Sequence, residues 1–188
     1  GSHGALTWGV LDALLEDDGL DFEGISGTSA GAMNAVALAH GFAHAAREFS
    51  DPLEARKAGA ALARTTLARL WEGVGAMGSL VWGVPQAQAL PALSLMTPWF
   101  APAQANPFDF NPRRRLLERE IDFELLSTPR KQGLQVFVCA TNVRTGRGEI
   151  FSGARLSADA VMASACLPMV FKAVEIEGEA YWDGGYSG

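Results

Sequence analysis

An α/β layered fold with a mainly parallel sheet is what this sequence of 188 residues predicts. Two observations carry the prediction. Segments of helical periodicity alternate with short strand-like runs along most of the chain. Leu134 to Asn142 (LQVFVCATN) also reads as an interior strand. The length suits one domain with a substantial core, and no repeat, low-complexity tract or linker divides it. Residues 1–188 are therefore expected to form a single domain.

The elements follow in order. Leu6 to Leu15 has Leu6, Val10, Leu11, Leu14 and Leu15 at helical spacing, and Glu16 to Gly19 should end that helix, with Gly19 as its cap. Phe22 to Ser26 is a short strand-like run. From Ala30 to about His40 the chain is Ala-rich and apolar all round, which predicts a buried helix, with Gly41 as its stop. Ala43 to about Trp71 is again helical, with a break near Asp51-Pro52. Gly73 to Phe108 carries no charge and five prolines. The prolines argue against a membrane-spanning helix and leave two readings, irregular buried chain or an apolar cover over a lipid-binding cleft. Asn111-Pro112 is a helix start. The Arg113-Arg114-Arg115 run that follows is expected to be a solvated face rather than a headgroup contact. Past the interior strand, Thr145-Gly146 is a turn and Glu149 to Phe151 a second strand. Ser157 should cap a helix to Ser164, and Lys172 to Trp182 reads as a hairpin around Glu177-Gly178.

Bulk composition limits the function. Apolar residues are 48% and charged residues 19%, an ordinary globular balance, and the net charge of -6 argues against nucleic acid as the main partner. A local patch could still meet a membrane surface. Cys139 and Cys166 are too few for a disulfide framework and should be buried thiols; no zinc-ligand spacing occurs. No signal peptide is visible, and the compartment expected is cytoplasmic or membrane-associated.

Phe22-Glu-Gly-Ile-Ser-Gly-Thr-Ser-Ala-Gly-Ala-Met-Asn34 holds a G-x-S-x-G pattern between a strand and a helix. A sharp turn there presents Ser29 over the end of the sheet as a candidate nucleophile. Such a turn brings Gly27 and Gly31 together, where a Cβ at either position is expected to clash. It also aims the N–H of Ala30 at a developing oxyanion. Ser29 then needs a base. His3, His40 and His44 are poorly placed: His40 and His44 lie far down the helix that follows Ser29, and His3 precedes it. A carboxylate could act directly if burial and geometry raise its proton affinity. The best candidate is Asp183, in Trp182-Asp-Gly-Gly185, although Asp-Gly on local sequence alone reads as a turn pair.

Four stretches together resemble the patatin-like phospholipases, the lipid acyl hydrolases. Gly1-Ser-His-Gly4, followed by ALTWGVLDALLED, is similar to the end of that family's glycine-rich loop and its first helix. Gly27-Thr-Ser-Ala-Gly31 is similar to its nucleophile elbow, Ala163-Ser-Ala-Cys-Leu-Pro168 to a stretch before its last strands, and Asp183-Gly184-Gly185 to its D-G-(A/G) motif. The order and spacing fit across nearly the whole chain. The resemblance implies a three-layer α/β/α fold. It implies a Ser-Asp dyad, with Ser29 as nucleophile and Asp183 as base, forming an acyl-enzyme on phospholipid or other acyl-ester lipids without metal or cofactor. It also implies oxyanion donors from Gly1 and Ser2, with Ala30 adding another. Against the family pattern the chain opens at the loop's third glycine and stops just after Gly185, so a piece of a longer domain is expected. A histidine-assisted esterase, thioesterase or polyester depolymerase, and a silent member that only binds lipid or protein, stay open as alternatives.

Overall fold

The computed structural model describes residues 2–17, 20–82, 112–128, 134–166 and 172–187, leaving aside the side chains of 2, 3, 5 and 77–82. Elements run α1 (Ser2–Leu15), β1 (Gly24–Thr28), α2 (Ala30–Glu48), α3 (Pro52–Trp82), α4 (Pro112–Glu120), α5 (Phe123–Ser127), β2 (Gln135–Asn142), β3 (Gly148–Phe151), α6 (Ala158–Ser164), β4 (Val174–Ile176) and β5 (Glu179–Asp183). A single turn of 3-10 helix, Gly184–Tyr186, follows β5. Helices flank a central sheet, so the α/β class holds. The sheet is mixed rather than mainly parallel among the described strands. Only β1 and β2 run parallel, while β2–β3, β2–β5 and β4–β5 are antiparallel. β2–β3 and β4–β5 are joined by short turns, which return the chain in the opposite direction, whereas β5 reaches β2 across a longer connection. The β4–β5 turn has Glu177 at φ 53° and Gly178 at φ 79°, the left-handed pair a two-residue hairpin requires.

The core is built around α2. Ala32, Ala35, Val36, Ala37, Leu38 and Ala39 are buried to within 1% of complete. Small side chains let α2 lie close to β1 and β2 on one side and α3 on another. Gly41 does not end this helix but sits inside it: a Cβ there would lie 2.4 Å from the Ala63 nitrogen of α3. Its glycine serves a helix–helix approach, and α2 continues for seven further residues to Glu48. The expected break at Asp51-Pro52 holds. The strand expected at Phe22–Ser26 is shifted to Gly24–Thr28, and α1 begins at Ser2, earlier than its apolar pattern. Ser157 caps α6 as expected, its Oγ accepting the Ala160 N–H at 3.2 Å. Gly19, Asn111 and most of the uncharged stretch to Phe108, from residue 83 onward, lie outside the described residues.

The sheet register positions the site. Along β2 the backbone N–H groups alternate between its two edges. Gln135 donates to Glu23 and Val143 to Ala180, whereas Asn142 donates to Arg147. Odd-numbered residues therefore face β1 and then β5, and even-numbered residues face β3. β1 and β5 occupy the same edge of β2 in succession. β1 ends with Thr28 opposite Cys139, and β5 ends with Asp183 opposite the next residue, Ala140. Two strands from distant parts of the chain thus finish against each other.

Candidate active site

Ser29 occupies the turn between β1 and α2 with φ 57° and ψ -126°. That conformation costs a non-glycine residue on the order of 1–3 kcal/mol and persists only where surroundings enforce it. Gly27 is part of the enforcement. A Cβ on it would lie 2.3 Å from the Gly31 carbonyl oxygen and 2.6 Å from the Ala32 nitrogen. Gly31 differs, and the expectation of a clash there is corrected. A Cβ on Gly31 meets nothing within 4 Å outside the backbone of its own helix. Ser29 is half-buried, and its hydroxyl makes no capping bond to α2. Ala30 is the first residue of that helix.

Asp183 is only 4% exposed. Its backbone is tied on both sides, the N–H donating to the Cys166 carbonyl at 2.8 Å and the carbonyl accepting the Thr141 hydroxyl at 2.8 Å. Oδ1 accepts the Gly185 N–H at 2.9 Å. Oδ2 is buried with no hydrogen-bond partner among the described residues. A buried carboxylate oxygen without a donor is costly and calls for an explanation. Gly184 lets this corner close on the end of β1. A Cβ on it would lie 2.3 Å from the Cys139 carbonyl oxygen and 2.9 Å from Thr28 Cγ2. Gly185 is less constrained, with a Cβ position 3.2 Å from Asp183 Oδ1. The negative charge of Asp183 also reaches both cysteines. Burial first, and that charge second, push the Cys139 and Cys166 thiols up, so both stay protonated near neutral pH.

On the other flank α1 starts beside the elbow. A Cβ on Gly4 would lie 2.6 Å from the Ala30 Cβ and 2.3 Å from the Trp71 ring. The Gly4 carbonyl accepts the Asn34 side-chain N–H at 3.2 Å, and Asn34 Oδ1 accepts the Trp71 indole N–H at 2.7 Å. Asn34 is 1% exposed, so one buried amide joins α1, α2 and α3 immediately behind Ser29.

A strained serine in a strand–turn–helix, a buried aspartate at the adjoining strand end and a helix packed against the elbow through Gly4 frame the comparison with known families. The patatin-like phospholipase model matches residues 1–188. The chain belongs to the patatin-like phospholipase family. No curated protein matches it at a significant level. Membership in the patatin-like family implies hydrolysis of lipid acyl esters.

Of the residues that the patatin-like resemblance singled out, Ser29, Ala30, Gly27, Gly31, Asp183, Gly184 and Gly185 come together at the junction of β1, α2 and β5. Gly4 joins them through Ala30. Ser2 opens α1, and Gly1 lies outside the described residues. His40 stands eleven residues along α2 from Ser29, about 16 Å at helical rise. There it packs on His44 at 4.5 Å and its Nδ1 accepts the Asp122 backbone N–H at 3.1 Å. These two rings line a separate cavity of about 570 Å³ with Arg69 and Glu120. Two polar residues beside this junction carried no individual role in the sequence reading: Asn34, and Ser164 within the Ala163–Pro168 stretch. The signal for both is a polar side chain inside an Ala-rich helix. Among the described residues no cluster of His, Cys, Asp and Glu is arranged to hold a metal, and no helix is long and apolar enough to cross a membrane.

Proposed function

We propose that the protein is a serine lipid acyl hydrolase of phospholipase A or esterase type that works through a Ser29–Asp183 dyad. The observation that carries this reading is the meeting of two strand ends on one edge of β2. There a strained, half-buried serine follows the end of β1, and a buried aspartate whose Oδ2 has no partner among the described residues ends β5.

The chemistry follows from that arrangement. Ser29 Oγ attacks the ester carbonyl carbon and gives its proton to Asp183 Oδ2. The oxyanion is met by backbone N–H groups, from Ala30 at the start of α2, from Ser2 at the start of α1 and, in this reading, from Gly1 before it in sequence. Collapse breaks the C–O bond, and the departing alcohol takes the proton from Asp183. Water then attacks the acyl-Ser29 ester, Asp183 receives its proton, and the fatty acid leaves with Ser29 restored. The uncharged segment from Gly73 to Phe108 binds acyl chains in this reading, and contact with a phospholipid surface brings the substrate to the cleft.

A fluorophosphonate probe tests enzyme against binder. The full chain should be labelled on Ser29, and Ser29→Ala should lose both labelling and hydrolysis of phosphatidylcholine vesicles. A folded wild-type chain that neither labels nor hydrolyses would make it a lipid binder.

A further inference from the structure

Ser164, on the last turn of α6, is completely buried. Its Oγ accepts the Ser29 backbone N–H at 3.0 Å and donates to the Cys139 carbonyl at 2.6 Å. The register of the sheet gives these two bonds a particular meaning. Gln135 N–H donates to the Glu23 carbonyl, and β1 and β2 stay in register to the Thr28–Cys139 pair. In a parallel ladder the rungs alternate regularly, so the next one would run from the Ser29 N–H directly to the Cys139 carbonyl. The Ser164 hydroxyl stands in that rung, accepting from one side and donating to the other, which uses its one proton and one lone pair.

We infer that Ser164 is a positioning residue that holds the nucleophile at a fixed offset from its base, an inference that rests on the Ser29–Asp183 reading above. A direct rung would keep Ser29 in the extended path of β1. An interposed hydroxyl lets the Ser29 backbone leave that path toward φ 57° while both backbone groups stay satisfied. Gly184 packs at the same Cys139 carbonyl, which lies 2.3 Å from a Cβ built on that glycine. Cys139 precedes Ala140, the residue opposite Asp183. One hydroxyl therefore references the nucleophile to the same stretch of β2 that references the base. The exchange of Ser29 and Asp183 groups during a reaction needs this offset held closely, since a displacement of about 1 Å can lower a rate about 100-fold.

Removing the hydroxyl without adding bulk tests the inference. Ser164→Ala and the near-isosteric Ser164→Cys, whose thiol is a weak donor and acceptor, are assayed in the full chain on p-nitrophenyl butyrate. Rates are expressed per folded molecule, counted by circular dichroism, and Ser29→Ala is run alongside. The expected result is a fall in kcat of about 10- to 100-fold for Ala, a smaller fall for Cys, and KM within about threefold of wild type in both. A purely structural role would lower the melting temperature and leave kcat per folded molecule unchanged, and that outcome overturns the inference. So does failure of both variants to fold, which assigns the hydroxyl to the fold alone. Wild-type hydrolysis in Ser29→Ala would remove the dyad itself, whereas an inactive Ser29→Ala beside a fully active Ser164→Ala would remove only the positioning role.

Discussion

The two glycines of the G-x-S-x-G pattern should behave differently when each becomes alanine. A Cβ on Gly27 would stand 2.3 Å from the Gly31 carbonyl oxygen, 2.5 Å from its carbon and 2.6 Å from the Ala32 nitrogen. All three are backbone atoms of the first turn of α2, so no side chain can swing aside. Roughly 0.7 Å of separation must be found between β1 and α2, and overpacking of that kind costs about 1–3 kcal/mol. The same displacement falls on Ser29, which sits between the two elements. Gly31→Ala meets no atom within 4 Å and lies in a helix, where alanine is favoured over glycine by about 1 kcal/mol. Urea unfolding should move the midpoint down for Gly27→Ala and up for Gly31→Ala. Fluorophosphonate labelling of Gly27→Ala should slow by at least about tenfold. Wild-type stability and labelling in Gly27→Ala, or a destabilised Gly31→Ala, would refute the account of the elbow.

Two further outcomes follow from the buried polar groups. Asn34→Ala leaves the Gly4 carbonyl and the Trp71 indole N–H unpaired and should destabilise by about 2 kcal/mol, read from urea midpoints. Hydrogen exchange should quicken at the start of α1, and an unchanged midpoint would show that the bridge carries no net stability. His40 must keep Nδ1 unprotonated to accept the Asp122 N–H. Burial first, and then the neighbouring His44, hold its pKa below the ordinary value, against the pull of Asp122 and Glu120. Its contribution is fully present above the ordinary histidine value of about 6.5 and is lost as pH falls through the lower folded value. Urea midpoints should therefore fall between pH 7.5 and 5.5 in wild type and fall less in His40→Gln; equal slopes would remove His40 as the cause.

Local features of the fold were legible in the sequence because local chemistry determines them. The Ser157 cap, the Glu177-Gly178 turn and the Asp51-Pro52 break each depend on a few adjacent residues. Gly41 was misread because a helix-stopping glycine and a helix-crossing glycine look alike until Ala63, 22 positions away in sequence, is packed against it. Strand direction was misread for a similar reason, since apolar runs do not record which way a strand is threaded. The two ends of the proposed site, Ser29 and Asp183, stand out in the sequence as motifs. Their meeting on one edge of β2 was not legible, because it is set by the pairings Thr28–Cys139 and Ala140–Asp183, between residues far apart in sequence. Asn34 showed only as a polar residue among alanines, and Ser164 as part of the Ala163–Pro168 stretch with no role of its own.

The central claim is that a carboxylate, with no histidine between, takes the proton from Ser29. Steady-state hydrolysis of p-nitrophenyl butyrate by Asp183→Asn, set beside a variant with His3, His40 and His44 all changed to Gln, tests it most directly. The account predicts a fall in kcat of about 10²- to 10⁴-fold for folded Asp183→Asn and a near wild-type kcat for the folded histidine variant. Full activity in Asp183→Asn, or loss of activity in the histidine variant, would contradict it.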